Sequence, residues 1–488
     1  MQLSILIPTY NRANYLNYLL PAVAGCMKAF GEIDWELVVS DNCSQDETAQ
    51  LCQRLHSSIS QLRRIAPPQH LYTAEENLFF ALNQVGGTYT WVLGDDDVPQ
   101  AETIGELIRQ IQQEKYDLMI FNSGSIDYHG HRLRMIRTPC HTPILEISFQ
   151  DFIRRTGCWF VIAGFSTILL RTDCVKGKDV QQLLRAGKIY SHVTFLVEHF
   201  SDKKFAFINK PLVWYRQNLI DIRPASHWDN VARRENTFPR ALWTLSFIRQ
   251  LKYLQDKKII DEQFFPSILD QTLTHRFRLF YELITHLIIQ IKLNMRLNAH
   301  LKMNRGDFNE ILDFLKSCSP AEWDLWKHLE ELFALQEKAA GRFYYGRAAR
   351  EYRAKFSFFW NYMNKIKKHF IHPFFDRFQY GYHIFKTPFG WCACQPRSIA
   401  LLYEELQFID PKSRGHEIIF SDTEDELTSA MQNGTQAIHR ENSNKLLYYV
   451  PRKRKKESKL NRIKGLFLKA RFRLLEMIKG ALRRLRLR

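Results

Sequence analysis

The chain has little of what several protein classes require. It has nine cysteines in 488 residues, an odd number at irregular spacings, so no disulfide framework is expected and a reducing, non-secreted location follows. Cys392 and Cys394 form only half of a zinc site, and structural cysteines are the simpler reading. No charged-then-apolar leader precedes the strand-like run that begins at Leu3. The longest apolar stretches, such as 283–291, fall short of the roughly 20 residues that a spanning helix needs, so no transmembrane helix is expected. PTYNR (8–12), after the first apolar run, contains no glycine, which argues against the glycine-rich phosphate loop of a nucleotidyltransferase.

What is present begins with bulk. With 45% hydrophobic and 13% aromatic residues, the chain can bury sizeable cores, and its length implies two or three domains. The net charge of +18 is concentrated at one end. From Arg452 to Arg488 there are 16 Lys or Arg against two acids, Glu457 and Glu476, so this tail carries 16 − 2 = +14. Leu460, Ile463, Phe467, Ala470, Leu474, Ile478, Ala481 and Leu485 recur every three or four residues through it. That pattern predicts a basic amphipathic helix lying on an anionic membrane surface. A nucleic acid or the protein's own surface could also receive such a helix; with no recognisable nucleic-acid-binding fold, no specific nucleic-acid partner is expected.

The first third of the chain alternates. SILIPTYN (4–11) and WELVVSDN (35–42) read as buried strands, with an amphipathic helix over 15–30 between them. Ser44 and Glu47 have capping-box spacing, predicting a helix from about 45 to 59. AEENLFFALNQV is helical, the Gly86–Gly87 turn follows, and YTWVL is a strand. Strand and helix in alternation imply an α/β fold with a parallel sheet, in which ligands collect beyond the carboxyl ends of the strands.

There the run TWVLGDDD (90–97) ends in Asp95, Asp96 and Asp97. Three adjacent carboxylates repel one another, and an apolar strand end adds a desolvation cost. A divalent cation offsets both, and Mn²⁺ or Mg²⁺ binds through one or two carboxylates plus substrate phosphates. The plain alternative is a solvated acidic turn, with Asp97 and Glu102 opening a helix over 101–114.

SILIPTYNR, VVSDNCSQDET, ENLFFALNQVGGTYTWVLGDDD and GFSTILLR together resemble the family-two glycosyltransferases of the GT-A fold over about residues 1 to 230, in particular bacterial O-antigen and surface-polysaccharide sugar transferases. The resemblance implies metal-dependent transfer of a sugar from a nucleotide-diphosphate sugar donor to a glycan or lipid-linked acceptor, usually with inversion. It places Pro8, Thr9, Tyr10, Asn11, Arg12 and Asp41 on the nucleotide, Asp95 and Asp96 on ribose or metal, and Asp97 on the metal. Tyr10 can lie against a base, and Asp41 can accept a hydrogen bond from one.

Inversion requires a base for the acceptor hydroxyl. Family members carry a Glu-Asp pair where this chain reads Ser191-His192, and the branch resembling deoxyhexosyl transferases of O-antigen synthesis carries a similar histidine. An imidazole is a competent base at neutral pH, so His192 is the first candidate, with Glu198 and Asp173 as the others. Arg216, after the strand KPLVWY, is a candidate for the diphosphate, with Arg223 beyond it.

These readings divide the chain into a GT-A domain (1–226), a helical extension (227–400), a small α/β unit (401–451) and the tail (452–488). Acids at 422–425 in the α/β unit are read as a helix start capped by Ser421 and Glu424. The aromatic and basic stretch 357–385 suits either a core or a membrane interface. A peripheral enzyme on the cytoplasmic face of the membrane is the functional expectation. A non-catalytic nucleotide-sugar-binding scaffold is the alternative, kept open by the missing acidic pair.

Overall fold

A computed structural model of the chain describes residues 1–30, 33–126, 132–134, 142–156, 164–216, 239–264, 303–318 and 323–339, together with short stretches between 283 and 291, between 351 and 357 and between 377 and 451. The basic tail, Arg223 and most of the aromatic stretch at 357–385 lie outside the described residues. Among those described, no helix is long and apolar enough to cross a membrane.

The organising element is a ten-stranded sheet. Its first half is parallel: β1 (Leu3–Thr9) lies between β2 (Trp35–Asp41) and β4 (Tyr89–Val92), with β3 (Leu62–Ile65) outside β2. All residues of β1, β2 and β4 are buried, as continuous apolar runs demand of strands covered on both faces. A short strand, β5 (Val98–Pro99), then precedes β6 (Leu118–Ile126). The expectation of a parallel sheet is corrected in the second half. The strand Ile168–Arg171 runs antiparallel to both β4 and β6, and the long strand Phe205–Arg216 pairs parallel with β6 but antiparallel with β5. The sheet is therefore mixed.

Helices cover both faces. On one side α1 (Ala13–Ala29), α2 (Thr48–His56) and α4 (Ala101–Gln113) bury Leu16, Leu20, Val23, Leu51, Ile104 and Leu107 against Ile5, Leu37 and Met119. On the other, α3 (Ala74–Leu82), α5 (Phe149–Thr156), α6 (Gln181–Ala186), α7 (Ser191–Phe200) and α8 (Pro239–Asp256) build a second core with Leu78, Phe152, Leu183, Val193, Phe200 and Ile248. Helices at Arg305–Cys318 and Trp323–Ala339 extend this second core.

Two helix starts differ from expectation. α2 begins at Thr48 without a side-chain cap from Glu47, because Ser44 is engaged elsewhere. The capping box lies instead at α3, where Thr73 accepts from the Glu76 amide and Glu76 accepts from the Thr73 amide. Similarly, Thr423, not Ser421, caps the helix Glu424–Gln432. Strands at Arg377–Gln379, Tyr382–Thr387 and Gly390–Cys394 form an antiparallel meander that Ile418–Ser421 joins.

One buried acid ties the sheet's first half together. Glu36, 7% exposed, accepts hydrogen bonds from Ser4 Oγ (2.5 Å), the Gly86 amide (2.8 Å) and Arg63 Nε (2.7 Å). Burial pushes its carboxyl up, but the bonds from Arg63, Ser4 and Gly86 outweigh that and hold it below the usual carboxylate range. Replacing it by Ala strands these donors at a cost of about 2–3 kcal/mol. Because the folded form is the stronger acid, this contribution is present above the ordinary carboxylate range and is lost as pH falls through the depressed value. Denaturant titration should show the gap between Glu36→Ala and the parent closing in acid.

Candidate active site

The site forms where β1, β2 and β4 end. At the end of β1, Thr9 is buried and Tyr10 is 40% exposed, with its ring 4.5 Å from that of His70. Asn11 adopts the left-handed conformation (φ 54°), which suits asparagine better than most residues, and turns the chain into α1. The loop after β2 holds it there: Ser44 Oγ accepts from the Asn11 amide (2.8 Å), Asn11 Oδ1 accepts from the Gln45 amide (2.7 Å), and Asp46 accepts from the Ala13 amide (3.0 Å). This is the task that removes Ser44 from the helix.

Asp41, at the end of β2, is completely buried. Its Oδ1 accepts from the Ser44 amide (2.9 Å), and its Oδ2 takes Nε and Nη2 of Arg64 from β3 at 2.8 and 2.7 Å. A buried carboxylate needs such pairing. These bonds aim the Asp41 carboxylate and fix Arg64 in the wall of the crevice. Pro8, on β1 opposite Ser40, is part of the same wall.

The acid triplet lies between β4 and β5. Thr9 Oγ1 donates to Asp95 Oδ2 (2.7 Å), linking the ends of β1 and β4. Asp97, 8% exposed, accepts from Ser166 Oγ (2.5 Å) and from the Arg216 amide (3.3 Å). Arg216 is the last residue of its strand, and its Nε donates to the Asp96 carbonyl at 3.2 Å. Gly94 makes the arrangement possible, since a Cβ there would stand 2.9 Å from Asp97 Oδ2 and 3.1 Å from Ser166 Oγ.

Burial, and after it the Asp96 charge, pushes Asp95 up to about 7; the same two causes push Asp97 well above the carboxylate range. Arg12 acts on Asp95 in the opposite direction, and its Nη1 is buried with no hydrogen-bond partner among the described residues. The crevice thus combines hard carboxylate oxygens, crowded negative charge and an unsatisfied guanidinium donor. These residues fit a divalent cation shared with an anionic ligand: the oxygens suit Mn²⁺ or Mg²⁺, and Arg12 suits phosphate. Among the described residues, no three His, Cys, Asp or Glu side chains form a metal cage by themselves.

The three candidate bases separate. Glu198, on the outer half of α7, accepts from Tyr253 Oη (2.8 Å) and Lys257 Nζ (2.6 Å), so it is spent on packing α7 against α8. Asp173 follows the strand Ile168–Arg171, in which Arg171 pairs with Tyr89 at the start of β4. This places it at the sheet edge opposite the triplet. Neither joins the site. His192, the second residue of α7, is 2% exposed and lies edge-on to Phe165 at 4.5 Å between centroids. Phe165 immediately precedes Ser166, the residue bonded to Asp97, so of the three His192 is the one that touches a chain neighbour of the carboxylates' partners.

A model of glycosyl transferase family 2 matches residues 4–172. Those residues are a family 2 glycosyltransferase domain. The mixed sheet around them is the GT-A α/β fold that the sequence motifs imply. Over 138 residues the chain is 26% identical to the poly(ribitol-phosphate) beta-N-acetylglucosaminyltransferase TarS of Staphylococcus aureus, covering 27% of this chain but only 22% of that one. Over 223 residues it is 27% identical to the abequosyltransferase RfbV of Salmonella typhimurium, covering 44% of this chain and 66% of the relative. A crystal structure of TarS residues 1–349 in complex with UDP superposes with a TM-score of 0.40 at 16% identity, over 78% of this chain and 94% of that structure.

Arg64, Glu75 and the bond that Ser166, within GFSTILLR, makes to Asp97 were not anticipated. Arg64 had a signal, two arginines in the short strand LRRI, whose cost at a sheet edge calls for acidic partners. Ser166 and Glu75 had none, since their partners are 69 and 115 residues away.

Proposed function

We propose that the chain transfers a sugar from a nucleoside-diphosphate sugar to a glycan or lipid-linked acceptor in surface polysaccharide synthesis, with inversion, assisted by Mn²⁺ or Mg²⁺ held by Asp95 and Asp97. The observation that carries this reading is the meeting of Thr9, Asp95, Asp97, Ser166 and Arg216 at one crevice. The names of the two relatives, both glycosyltransferases, support it.

A cation bound there would stabilise charge growing on the departing diphosphate, as a Lewis acid. The chain's own residues do the rest. Thr9, Ser166 and the Arg216 amide aim the carboxylates. Arg12 Nη1 is the donor available to a phosphate oxygen. Tyr10 and His70 offer an aromatic face to a base, and Asp96 is the carboxylate next to the ribose. His192 takes the acceptor's hydroxyl proton on its imidazole once the Phe165 ring yields. The tail carries the enzyme to the cytoplasmic face of an anionic membrane.

The 2% exposure of His192 favours a second reading, a binding protein that retains the donor crevice without turnover. Calorimetry with UDP, GDP, CDP and dTDP sugars, each with and without Mn²⁺, followed by assay of nucleoside-diphosphate release, separates the two. The enzyme is expected to bind one nucleotide class at least tenfold tighter with Mn²⁺ and to release its diphosphate. Metal-dependent binding without release would establish the scaffold, and no metal-dependent binding would remove both.

A further inference from the structure

The first turn of α3 reaches the start of α7. Glu75, on α3 and 5% exposed, accepts a hydrogen bond from the Tyr190 amide through Oε1 (2.8 Å), and the same oxygen lies 3.8 Å from His192 Nδ1. Tyr190 precedes α7 and adopts the left-handed conformation (φ 56°, ψ 25°), which costs a bulky residue on the order of 1 kcal/mol and persists only where the surroundings impose it. The imposed turn sets His192 edge-on to Phe165, which immediately precedes the Ser166 bonded to Asp97.

A buried carboxylate is costly, and the sheet-facing side of α3 could have been filled by an apolar residue. Placing Glu75 there secures three things together. It caps the α7 end with negative charge where the helix dipole is positive, it holds the strained turn, and it faces one particular nitrogen of the imidazole. Carboxylate-facing Nδ1 favours the tautomer with its proton on Nδ1, which leaves Nε2 bare.

We infer that Glu75 is the positioning residue for His192, fixing the ring's tautomer and its placement so that Nε2 receives the acceptor proton. The inference rests on the reading of His192 as the base. The step it serves is balanced: the acceptor oxygen bonds to the anomeric carbon, the bond from that carbon to the diphosphate oxygen breaks, and the acceptor's proton passes to Nε2. The 3.8 Å separation is of the kind that shortens to a hydrogen bond when a ligand closes the site.

The test uses the full chain labelled with ¹⁵N-histidine. Two-bond ¹H–¹⁵N correlations report the tautomer of the one signal, among 17 histidines, that vanishes in His192→Gln. The expected result is a proton on Nδ1 in the parent, moving wholly or partly to Nε2 in Glu75→Leu, which offers Nδ1 no acceptor, whereas Glu75→Gln, whose amide oxygen can occupy the Oε1 position, keeps the Nδ1 preference. Where a donor sugar turns over, Glu75→Leu should lower kcat at least tenfold while Mn²⁺–nucleotide affinity stays within twofold, and Glu75→Gln should recover part of the loss. A parent imidazole protonated on Nε2, or a tautomer and kcat untouched by Glu75→Leu, would overturn the inference. The tautomer reading requires no turnover, so it fails or succeeds independently of the donor screen.

Discussion

Asp97→Asn should abolish function while leaving the fold intact or firmer. Transfer is expected to fall on the order of 10³-fold, the scale seen when a preorganised electrostatic contact to developing charge is removed. Mn²⁺-assisted nucleotide affinity should fall at least tenfold. The stability prediction goes the other way. Asp97 is buried, crowded by Asp96 and Asp95, and its ionised form is disfavoured by both burial and that charge. Asparagine has nearly the same shape: its amide oxygen can keep the bond from the Arg216 amide, and its NH2 can donate to Ser166 Oγ, whose hydroxyl can turn to accept. Removing one of three repelling charges should therefore raise the apo protein's melting temperature or leave it unchanged. Two measurements check this, a thermal melt without metal and calorimetry of the nucleotide with and without Mn²⁺. An Asn variant that kept metal-assisted affinity and transfer would show that the triplet is only an acidic turn and would end the proposed mechanism. A variant that merely unfolded would instead mark Asp97 as structural.

The difference between what could and could not be read in the sequence follows from how far apart the partners are. β1, β2 and β4 were legible because burial on both faces writes an unbroken apolar run into each strand, whatever its neighbours. The acids and polar residues closing those runs were legible as a site for the same reason, because strand ends of an α/β sheet share one edge. The direction of Ile168–Arg171 was not legible, since an apolar run looks alike in parallel and antiparallel pairing. That one reversal moved Asp173 to the opposite edge. Pairings were equally hidden. Nothing near Asp41 in sequence announces Arg64, and Ser44 has capping-box spacing with Glu47 yet is drawn away by the Asn11 amide across the crevice. Local propensity loses to a long-range bond in such cases because the buried amide would otherwise be unsatisfied. The strands between 377 and 394 did carry a signal: Gly381 and the Pro388–Gly390 stretch punctuate that run.

The Gly86–Gly87 turn provides the second large effect, through two neighbouring glycines that should respond oppositely. A Cβ on Gly87 would stand 2.5 Å from the Ser4 backbone nitrogen and 2.7 Å from the Leu3 carbonyl carbon, both part of β1. Backbone in the middle of a paired strand cannot swing aside as a side-chain end can. β1 pairs with β2 along its whole length and with β4 through Leu3–Tyr89 and its successors, so any shift breaks ladder bonds on both sides. Gly87→Ala should cost about 3 kcal/mol or more by this overpacking. A Cβ on Gly86 meets only the Met1 methyl, at 2.9 Å, and Glu36 Oε1 at 3.7 Å. The methionine end can rotate away, and the amide that Glu36 accepts from is retained. Gly86→Ala should therefore lie within about 1 kcal/mol of the parent, helped by the entropy that alanine removes from the unfolded chain. Denaturant unfolding of the two variants at equal slope checks the contrast. β1 also carries Thr9 to Asp95, so the displaced strand of Gly87→Ala should weaken Mn²⁺–nucleotide binding as well, whereas Gly86→Ala should not. Equal stability of the two would mean that β1 yields at this turn, and that its register does not set the position of the carboxylates.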